Sequence, residues 1–244
     1  MKKIFQTAIL IFTVTIITNA QDYKIIHKAL KMDSKKPKYE SAISYPQIAN
    51  PSGSSQEAFN ALMKNRMQAE ADSFKVWMKD WKTPKELKGT GSYYDINDTI
   101  LYSDSRLIST HFYGDSYFSG AAHPNNWSFS VNYDLEKNKE IVLSDLFTGD
   151  YIKVISDYCI SDITKQKKEE YAPELTGPDE FTLDGAGPKE DNFKVFNPTP
   201  AGFLITFPTY QVGAYVEGPK EVLMPYSVLK DNINPNGILS KFVQ

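Results

Sequence analysis

Apolar side chains recur every three or four positions along residues 54–81. They are Phe59, Leu62, Met63, Met67, Ala71, Phe74, Trp77, Met78 and Trp81. This spacing predicts one amphipathic helix of about 27 residues that ends before Pro84. Ser54 and Glu57 have the spacing of a capping box, which indicates Ser54 as the residue that caps the start of the helix.

Three aromatic side chains of this helix, Phe74, Trp77 and Trp81, lie on its inner stripe. They admit two interpretations, because such rings can either line a groove that receives a ligand or pack against a sheet. Helical spacing is the pattern that core packing produces, so we expect these rings to pack on a sheet.

Between residues 87 and 143 apolar and polar side chains alternate, which is the periodicity of β-strands. The segments GSYYDI, TILYSD, RLISTHFYG, WSFSVNYDL and EIVLSDLF are predicted as consecutive strands, with a hairpin turn at 136–139. In the clearest strand one face consists of Trp127, Phe129, Val131 and Tyr133. Such alternation indicates an antiparallel sheet with one covered face, and the long helix is the expected cover.

Shorter segments complete the predicted elements. Strands are expected at 24–32, 41–48, 193–207 and 221–226, and a last short helix at 227–232. A second helix is expected to begin near Gly149, with Ile152, Ile155, Cys159 and Ile163 on its apolar stripe. Residues 169–191 are rich in proline, glycine and acids, which predicts a long surface loop with little regular structure. The predicted fold class is α+β, an antiparallel sheet covered by a long amphipathic helix and a second, shorter helix.

The first twenty residues have the layout of a secretory signal. Two lysines precede the apolar run 4–17, and the small residue Ala20 stands before Gln21. Cleavage is expected after Ala20, which predicts a periplasmic or secreted protein. The run is short and interrupted by threonines, so no membrane span is expected after cleavage, although an uncleaved anchor is the alternative.

The net charge of the chain restricts the kind of molecule that it can bind. The chain has 27 Lys and Arg against 30 Asp and Glu, a net charge of −3. Loss of Lys2 and Lys3 with the signal lowers this by two, to −5. An acidic protein is a poor ligand for nucleic acid or an anionic membrane and is mildly suited to a cationic partner. Cys159 is the only cysteine, which excludes an internal disulfide, and its apolar stripe predicts a small buried hydrophobe.

Motifs for catalysis are absent from the sequence, which contains no G-x-S-x-G, H-E-x-x-H, P-loop or dinucleotide fingerprint. The histidines are His27, His111 and His123. Ser119, His123 and Asp115 form a catalytic triad only on paper, and the same holds for His111, Asp115 and His123 as a metal site. We expect histidines hydrogen-bonded at strand ends, and no cofactor.

Two blocks carry a resemblance to a known family. The first, SGAAHPNNWSFSVNYDLEKNKEIVLSDLF at 119–147, has a small-residue turn ending in Ala-His-Pro, a strand ending in Tyr-Asp-Leu, and Leu-Ser-Asp-Leu-Phe. The second, FPTYQVGAYVEGPKEVLMPYSVLK, spans 207–230. In this order they resemble the RsiV-like C-terminal domain family, a domain-of-unknown-function family of bacterial envelope proteins. The chain departs from the pattern at Ala121, where glycine is expected, and at 136–139, where a Thr-Gly turn is usual.

The resemblance implies a C-terminal domain at 87–244, packed as one unit with a companion region at 21–86 that contains the long helix. In RsiV this domain binds lysozyme and reports its presence. The anti-sigma role of RsiV is not expected to carry over, because only two lysines and a methionine precede the apolar run in this sequence. Related domains accompany peptidoglycan deacetylase modules, and no such module is recognised here.

Three functional hypotheses follow. The leading one is an exported, non-catalytic binding domain of the envelope that recognises a lysozyme-like protein or a peptidoglycan-type glycan. The alternative is an envelope hydrolase that acts on a sugar or acyl group, with His123 and a nearby Asp115 or Asp134. A structural envelope protein without a small ligand is the third.

Loops at one end of a sheet commonly hold the binding residues. The binding candidates are therefore Tyr113, Asp115, Tyr117, Phe118, His123, Asn125, Tyr210, Tyr215 and Glu217. Tyrosines beside small residues in loops suit contact with a protein or a glycan.

Overall fold

The computed structural model describes residues 23–87 and 90–243, so the predicted signal at 1–20 lies outside the described part. The strands are β1 Lys24–Lys35, β2 Lys38–Ala49, β3 Tyr93–Ser103, β4 Leu107–Tyr117, β5 Asn125–Asp134, β6 Lys139–Glu140, β7 Phe196–Thr199, β8 Gly202–Phe207 and β9 Lys220–Met224. The helices are α1 Ser54–Asp80, α2 Leu143–Leu146, α3 Tyr151–Glu170, α4 Glu180–Gly185 and α5 Tyr226–Leu229. Short 3-10 turns lie at Lys85–Leu87, Glu190–Phe193, Tyr215–Glu217 and Ile238–Phe242. This mixture of elements confirms the predicted α+β class. No helix within the described ranges has the length and apolarity needed to cross a bilayer.

β1 to β6 form one sheet in the order of the chain. Neighbouring strands are antiparallel except β2 and β3, which pair in parallel at Ile43 and Ile96. A parallel pair needs a long crossover, and α1 is that crossover. β7, β8 and β9 form a second, antiparallel sheet. The predicted antiparallel sheet is confirmed, with one parallel step that alternation of side chains does not reveal.

α1 covers one face of the six-stranded sheet, and its 27 residues match the predicted length. Its buried side chains are Phe59, Met63, Met67, Ala71, Phe74 and Met78. They belong to one core with Ile43, Ile96, Phe112 and Val131 of the sheet. Full burial of a large apolar side chain contributes roughly 1.5–3 kcal/mol, so this interface holds helix and sheet together.

The start of α1 differs from the prediction. Its N-cap is Gly53, whose backbone is extended and which has no side chain to accept a hydrogen bond. The side chain of Gln56 instead accepts from the backbone N–H of Ser52 at 3.0 Å. The capping-box interpretation was wrong because Ser54 already lies inside the helix.

A second core lies between α3 and the three-stranded sheet. It contains Ile155, Cys159, Ile163, Phe203, Ile205 and Val222. The predicted second helix and its stripe are confirmed, except that Ile152 is only half-buried. Polar side chains then connect the two sheets: Asn132 Nδ2 donates to the carbonyl of Phe196 at 2.7 Å, and Asn197 Nδ2 donates to Ser109 Oγ at 3.0 Å.

Three further predictions are corrected. GSYYDI and TILYSD form the single strand β3, because the chain continues through its polar middle with only a bulge near Ile100. Of EIVLSDLF only its first residue lies in a strand, β6, and the LSDL segment is the short helix α2. The predicted loop at 169–191 contains α4, which Asp179 caps by accepting from the backbone N–H of Thr182 at 2.8 Å.

The thiol of Cys159 should be inert in the native protein. It is fully buried, and burial, followed by the charge of Asp162, raises its pKa far above the ordinary value of a thiol. Only the thiolate reacts with disulfide reagents. We expect labelling by an aromatic disulfide at pH 8 to be at least about a hundredfold slower in buffer than in denaturant. Equal rates in both, with folding verified by circular dichroism, would contradict the burial.

Candidate functional site

Near its C-terminal end β4 presents different chemistry on its two faces. Side chains alternate along a strand, and Phe112 points into the core under α1. Tyr113, Asp115 and Tyr117 therefore lie on the opposite face, away from the helix. Ser116 returns to the helix side, where it lines a pocket. The predicted candidates on β4 thus share one face of the sheet.

The neighbouring strand extends this face. Tyr93 of β3 pairs with Tyr117, and their ring centroids are 6.3 Å apart. The hydroxyl of Tyr93 donates to Asp115 Oδ2 at 3.2 Å. Tyr113, the most exposed of the set, is 39% exposed. We call Tyr93, Tyr113, Asp115, Tyr117 and Tyr215 the tyrosine face.

Asp115 affects the chemistry of its tyrosine neighbours. Burial, followed by the negative charge of Asp115, raises the pKa of both Tyr93 and Tyr113. Both phenols therefore stay protonated at neutral pH and can donate hydrogen bonds. Oδ1 of Asp115 is buried and has no hydrogen-bond partner among the described residues. The face therefore combines neutral phenol groups with one carboxylate.

Tyr215 joins this face through the loop that contains His123. Its hydroxyl donates to the carbonyl of Pro124 at 2.9 Å, and Nδ1 of His123 lies 2.7 Å from the same oxygen. A carbonyl only accepts, so Nδ1 carries the proton and the lone pair of the neutral ring is on Nε2. The two rings lie 4.3 Å apart. His123 thus links two loops at the end of the sheet.

Tyr210 stands beside Tyr215, with 5.5 Å between the ring centroids. Half of its surface is exposed, and its φ of 74° lies in the left-handed region that non-glycine residues seldom adopt. Such strain persists only where surrounding contacts hold the backbone. The loop therefore presents Tyr210 in a defined position.

Glu217 does not belong to this surface. Its Oε1 accepts from the backbone N–H of Ala214 at 2.8 Å, and its Oε2 lies 3.4 Å from Nζ of Lys167 and accepts from the hydroxyl of Tyr171. Burial raises its pKa, but the hydrogen bonds from Tyr171 and Ala214 and the charge of Lys167 outweigh it, and the pKa is lowered. Glu217 holds the turn that carries Tyr215.

Phe118 and Asn125 lie on the helix side of the sheet. Phe118 packs on Phe74 and Trp81, at centroid distances of 6.0 and 5.2 Å. Asn125 lines a pocket of about 360 Å³. The remaining lining residues are Trp77, Tyr94, Ser116, Phe118, Ala121, His123 and Trp127. We call this space the aromatic pocket.

The prediction that the helix aromatics pack on the sheet is correct for Phe74, which is fully buried. It is only partly correct for Trp77 and Trp81, which remain 47% and 38% exposed. Trp77 forms a wall of the aromatic pocket. The alternative interpretation, a groove lined by aromatic rings, therefore describes Trp77 better.

The hypothetical catalytic triad and the hypothetical pairing of His123 with a nearby aspartate are not assembled among the described residues. Ser119 is buried, and its hydroxyl bonds to Thr90 and to the carbonyl of Leu87. His123 has no carboxylate partner among the described residues. Asp134 lies at the far end of β5 from His123, where it pairs with Arg106 at 3.3 Å.

His111, Asp115 and His123, the set considered and disfavoured as a metal site, do not form one among the described residues. Nδ1 of His111 lies 3.2 Å from the side-chain oxygen of Asn197, and burial lowers the pKa of His111. Among the residues that the structure describes, no three His, Cys, Asp or Glu side chains converge as metal ligands do.

Six residues of these two surfaces were not among the predicted binding candidates: Tyr93, Trp77, Tyr94, Ser116, Ala121 and Trp127. Tyr93 and Tyr94 are adjacent in the sequence but point to opposite faces, one to the tyrosine face and one to the pocket. The sequence indicates through the alternation of side chains along β3 that Tyr93 and Tyr94 lie on opposite faces. Which face each occupies follows only when the register of β3 with β4 is known.

Comparison with known proteins gives a match for the C-terminal part of the chain. A family model described as "Protein of unknown function (DUF3298)" matches residues 144–227. This range contains most of the second block that resembles the RsiV-like family, and only residues 144–147 of the first block.

A curated relative is the "Peptidoglycan-N-acetylmuramic acid deacetylase PdaC" of Bacillus subtilis strain 168, which is 24% identical over 192 residues. The match covers 78% of this chain, but this chain spans only 38% of the relative's length.

Two crystal structures show the same fold. A member of the DUF3298 family from Bacteroides fragilis superposes with a TM-score of 0.62 at 15% identity, over 92% of this chain and 99% of that chain. A DUF3298 family protein from Pseudomonas aeruginosa gives 0.63 at 14% identity, over 88% of this chain and 95% of that one.

Proposed function

We propose that this protein is an exported, non-catalytic binding domain of the bacterial envelope. The observation that carries the proposal is the tyrosine face, where the exposed Tyr113 and three half-buried tyrosines surround the carboxyl group of Asp115. A name that refers to peptidoglycan, on a relative matched over 78% of the chain, supports an envelope location. The resemblance to the RsiV-like family supports the same location and a binding role.

A lysozyme-like protein is the ligand that the tyrosine face suits best. Tyrosines offer large contact areas at low cost in side-chain entropy. Asp95 and Asp115 give negative charge to this part of the sheet, and both contribute to the raised pKa of Tyr93. Lysozymes are basic, and complementary charge raises the association rate and the specificity. A peptidoglycan-type glycan is the second ligand of the same proposal.

Calorimetric titration with lysozyme tests the protein ligand. We expect the Tyr113→Ala variant to bind about tenfold more weakly or worse, because a tyrosine at the centre of an interface commonly costs more than about 1 kcal/mol when truncated. Phe181→Ala is the matched control, since Phe181 is an exposed aromatic residue on α4, outside the face. Raising the salt concentration should weaken binding of the unmodified protein. If the folded protein releases no heat at micromolar concentration, the lysozyme ligand is excluded.

An envelope hydrolase remains the second candidate function, because the name of the relative contains a deacetylase activity. Nε2 of His123 could accept a proton, but within residues 23–87 and 90–243 no carboxylate orients the ring. The test is release of acetate from N-acetylated peptidoglycan by the protein and by His123→Ala. Activity that disappears in a folded His123→Ala variant would favour the hydrolase over the binding domain.

A further inference from the structure

The walls of the aromatic pocket are flat and held in place. A Cβ at Gly114 would lie 2.1 Å from Cε2 of Trp127, so the indole lies directly against the backbone of β4. Trp127 lies 4.8 Å from Tyr94 at an interplanar angle of 34°, and Trp77 meets Tyr94 edge-on at 5.7 Å. A ligand that stacks here meets rings already ordered by their neighbours, which reduces the entropy cost of binding.

The chemistry of the pocket is mixed in the way that a sugar requires. Aromatic faces carry partial negative charge and attract the C–H groups on the apolar side of a pyranose ring. Ser116, His123 and Asn125 add hydroxyl, imidazole and amide groups for the sugar hydroxyls. Phe118 and Ala121 add apolar surface beside these groups, which suits the methyl of an acetamido substituent.

Size and charge restrict the ligand further. The pocket volume of about 360 Å³ is at the small end of ligand sites, which run from roughly 300 to 1,000 Å³ and mostly hold one compact molecule. No Asp, Glu, Lys or Arg is present among the described residues that line it. A buried charge without a counter-charge is costly, so an anionic ligand is disfavoured. A lipid tail, in turn, would leave the polar groups without partners.

We infer that the aromatic pocket binds one uncharged N-acylated hexopyranose unit, of the N-acetylglucosamine type, in a cell-wall glycan. The inference deepens the glycan part of the proposed function and rests on it. Tyr113 and Trp77 lie on opposite sides of the same sheet, so these two residues can be changed separately, whereas Tyr215 contacts His123 at the edge of the pocket. A glycan strand held in the pocket would leave Tyr113 free for a protein ligand.

Tryptophan fluorescence provides a direct test. Trp77 and Trp127 line the pocket, Trp81 packs beside it on Phe118, and these are the three tryptophans of the chain. We expect titration with tri-N-acetylchitotriose to change the emission saturably. Trp77→Ala should raise the dissociation constant of the trisaccharide about tenfold. Val76→Ala, at the exposed neighbouring position on α1, should leave it unchanged.

Other outcomes would overturn the inference. Absence of a saturable change at millimolar trisaccharide, with folding verified by circular dichroism, excludes the site. If Trp77→Ala and Val76→Ala bind the trisaccharide with equal affinity, the sugar lies elsewhere. Asn125→Ala tests the opposite wall of the pocket in the same way. Equal binding of cellotriose contradicts the N-acyl preference, and tighter binding of N-acetylmuramic acid contradicts the preference for an uncharged sugar.

The pocket and the proposed function can fail separately. Tyr113→Ala should bind lysozyme about tenfold more weakly and the trisaccharide unchanged, whereas Trp77→Ala should bind the trisaccharide about tenfold more weakly and lysozyme unchanged. If the unmodified protein binds lysozyme but no trisaccharide, only the pocket is overturned. If it binds isolated peptidoglycan equally well before and after Trp77→Ala, the envelope binding domain stands without this pocket.

Discussion

Replacing Gly185 with alanine is expected to destabilise the protein by about 2–3 kcal/mol, the upper part of the range for overpacking a closely packed site. A Cβ at this position would lie 1.8 Å from the carbonyl oxygen of Gln211 and 2.7 Å from its carbonyl carbon. Both atoms belong to the backbone, so no side-chain rotation relieves the clash. Either α4 or the loop at 208–214 must move.

The same substitution should weaken ligand binding at the tyrosine face. Gln211 Nε2 donates to the carbonyls of Gly185 and Asn192, both at 2.8 Å, and these bonds hold the loop on α4. The loop carries Tyr210 and leads into Tyr215. Displacement of its backbone would therefore move two tyrosines that pack on each other.

Urea unfolding of Gly185→Ala, followed by circular dichroism, gives the change in stability. Gly177→Ala is the matched control, because a Cβ at Gly177 meets no atom within 4 Å. A surface change of this kind stays within about 0.5 kcal/mol. If the two variants are equally stable, α4 and the loop are not in close contact.

α1 and β5 were predicted well because each has an apolar face that repeats along most of the element. The helix buries side chains at helical spacing from Phe59 to Met78. In these elements burial alone selects the secondary structure. Asp115 and Tyr117 were instead predicted in a loop, and the structure places them with Tyr113 on β4, which continues to Tyr117.

α4 was missed because its buried residues are not apolar. Thr182 and Gly185 face inward, whereas Phe181 and Leu183 are half exposed, so the hydrophobic pattern does not indicate a helix. The helix depends on its cap from Asp179 and on the close contact at Gly185. Both are tertiary features that a local pattern does not contain.

The local pattern around Glu217 also lacks its tertiary contacts. An acidic residue in a loop of tyrosines indicates an exposed group. The partners of Glu217, however, are Lys167 of α3 and Tyr171 at the C-terminal cap of that helix, which are distant in the sequence. Phe118 was grouped with the β4 candidates although its ring packs on the helix side. The strand ends at Tyr117, so alternation no longer assigns Phe118 to a face.

The buried lysine of α3 is the second position where a large effect is expected. Lys167 is 1% exposed, and its Nζ lies 2.7 Å from Asp179 Oδ2 and 3.4 Å from Glu217 Oε2. Lys167→Met preserves the length of the side chain but leaves two carboxylates without their cation. Breaking a buried ion pair costs about 3–5 kcal/mol. Because Asp179 is 35% exposed, solvent reduces this, and we expect a loss of about 2–3 kcal/mol at pH 7.

Lys165→Met is the matched control on the same helix, since Lys165 is 71% exposed and lies 4.0 Å from Glu169. It should change the stability by no more than about 0.5 kcal/mol. The substitution at Lys167 should also weaken ligand binding at Tyr215, because Glu217 fixes the turn through Ala214. Stability of Lys167→Met equal to that of Lys165→Met at pH 7 would show that the pair contributes nothing.

The effect of Lys167→Met should depend on pH in a defined direction. Burial raises the pKa of Asp179 and of Glu217, but hydrogen bonds and the charge of Lys167 outweigh burial, so both pKa values are lowered. A lowered pKa in the folded state stabilises the protein fully above the ordinary carboxyl pKa of about 4, and this stability is lost as the pH falls through the lowered values.

In Lys167→Met the two carboxyl groups stay partly buried without the cation. They therefore take up a proton more readily in the folded state, and acid pH relieves the destabilisation. The difference in unfolding free energy between the unmodified protein and Lys167→Met should therefore shrink between about pH 5 and pH 3. Urea unfolding across this range measures it, and a difference that stays constant or grows toward acid pH would contradict the assigned charge pairing.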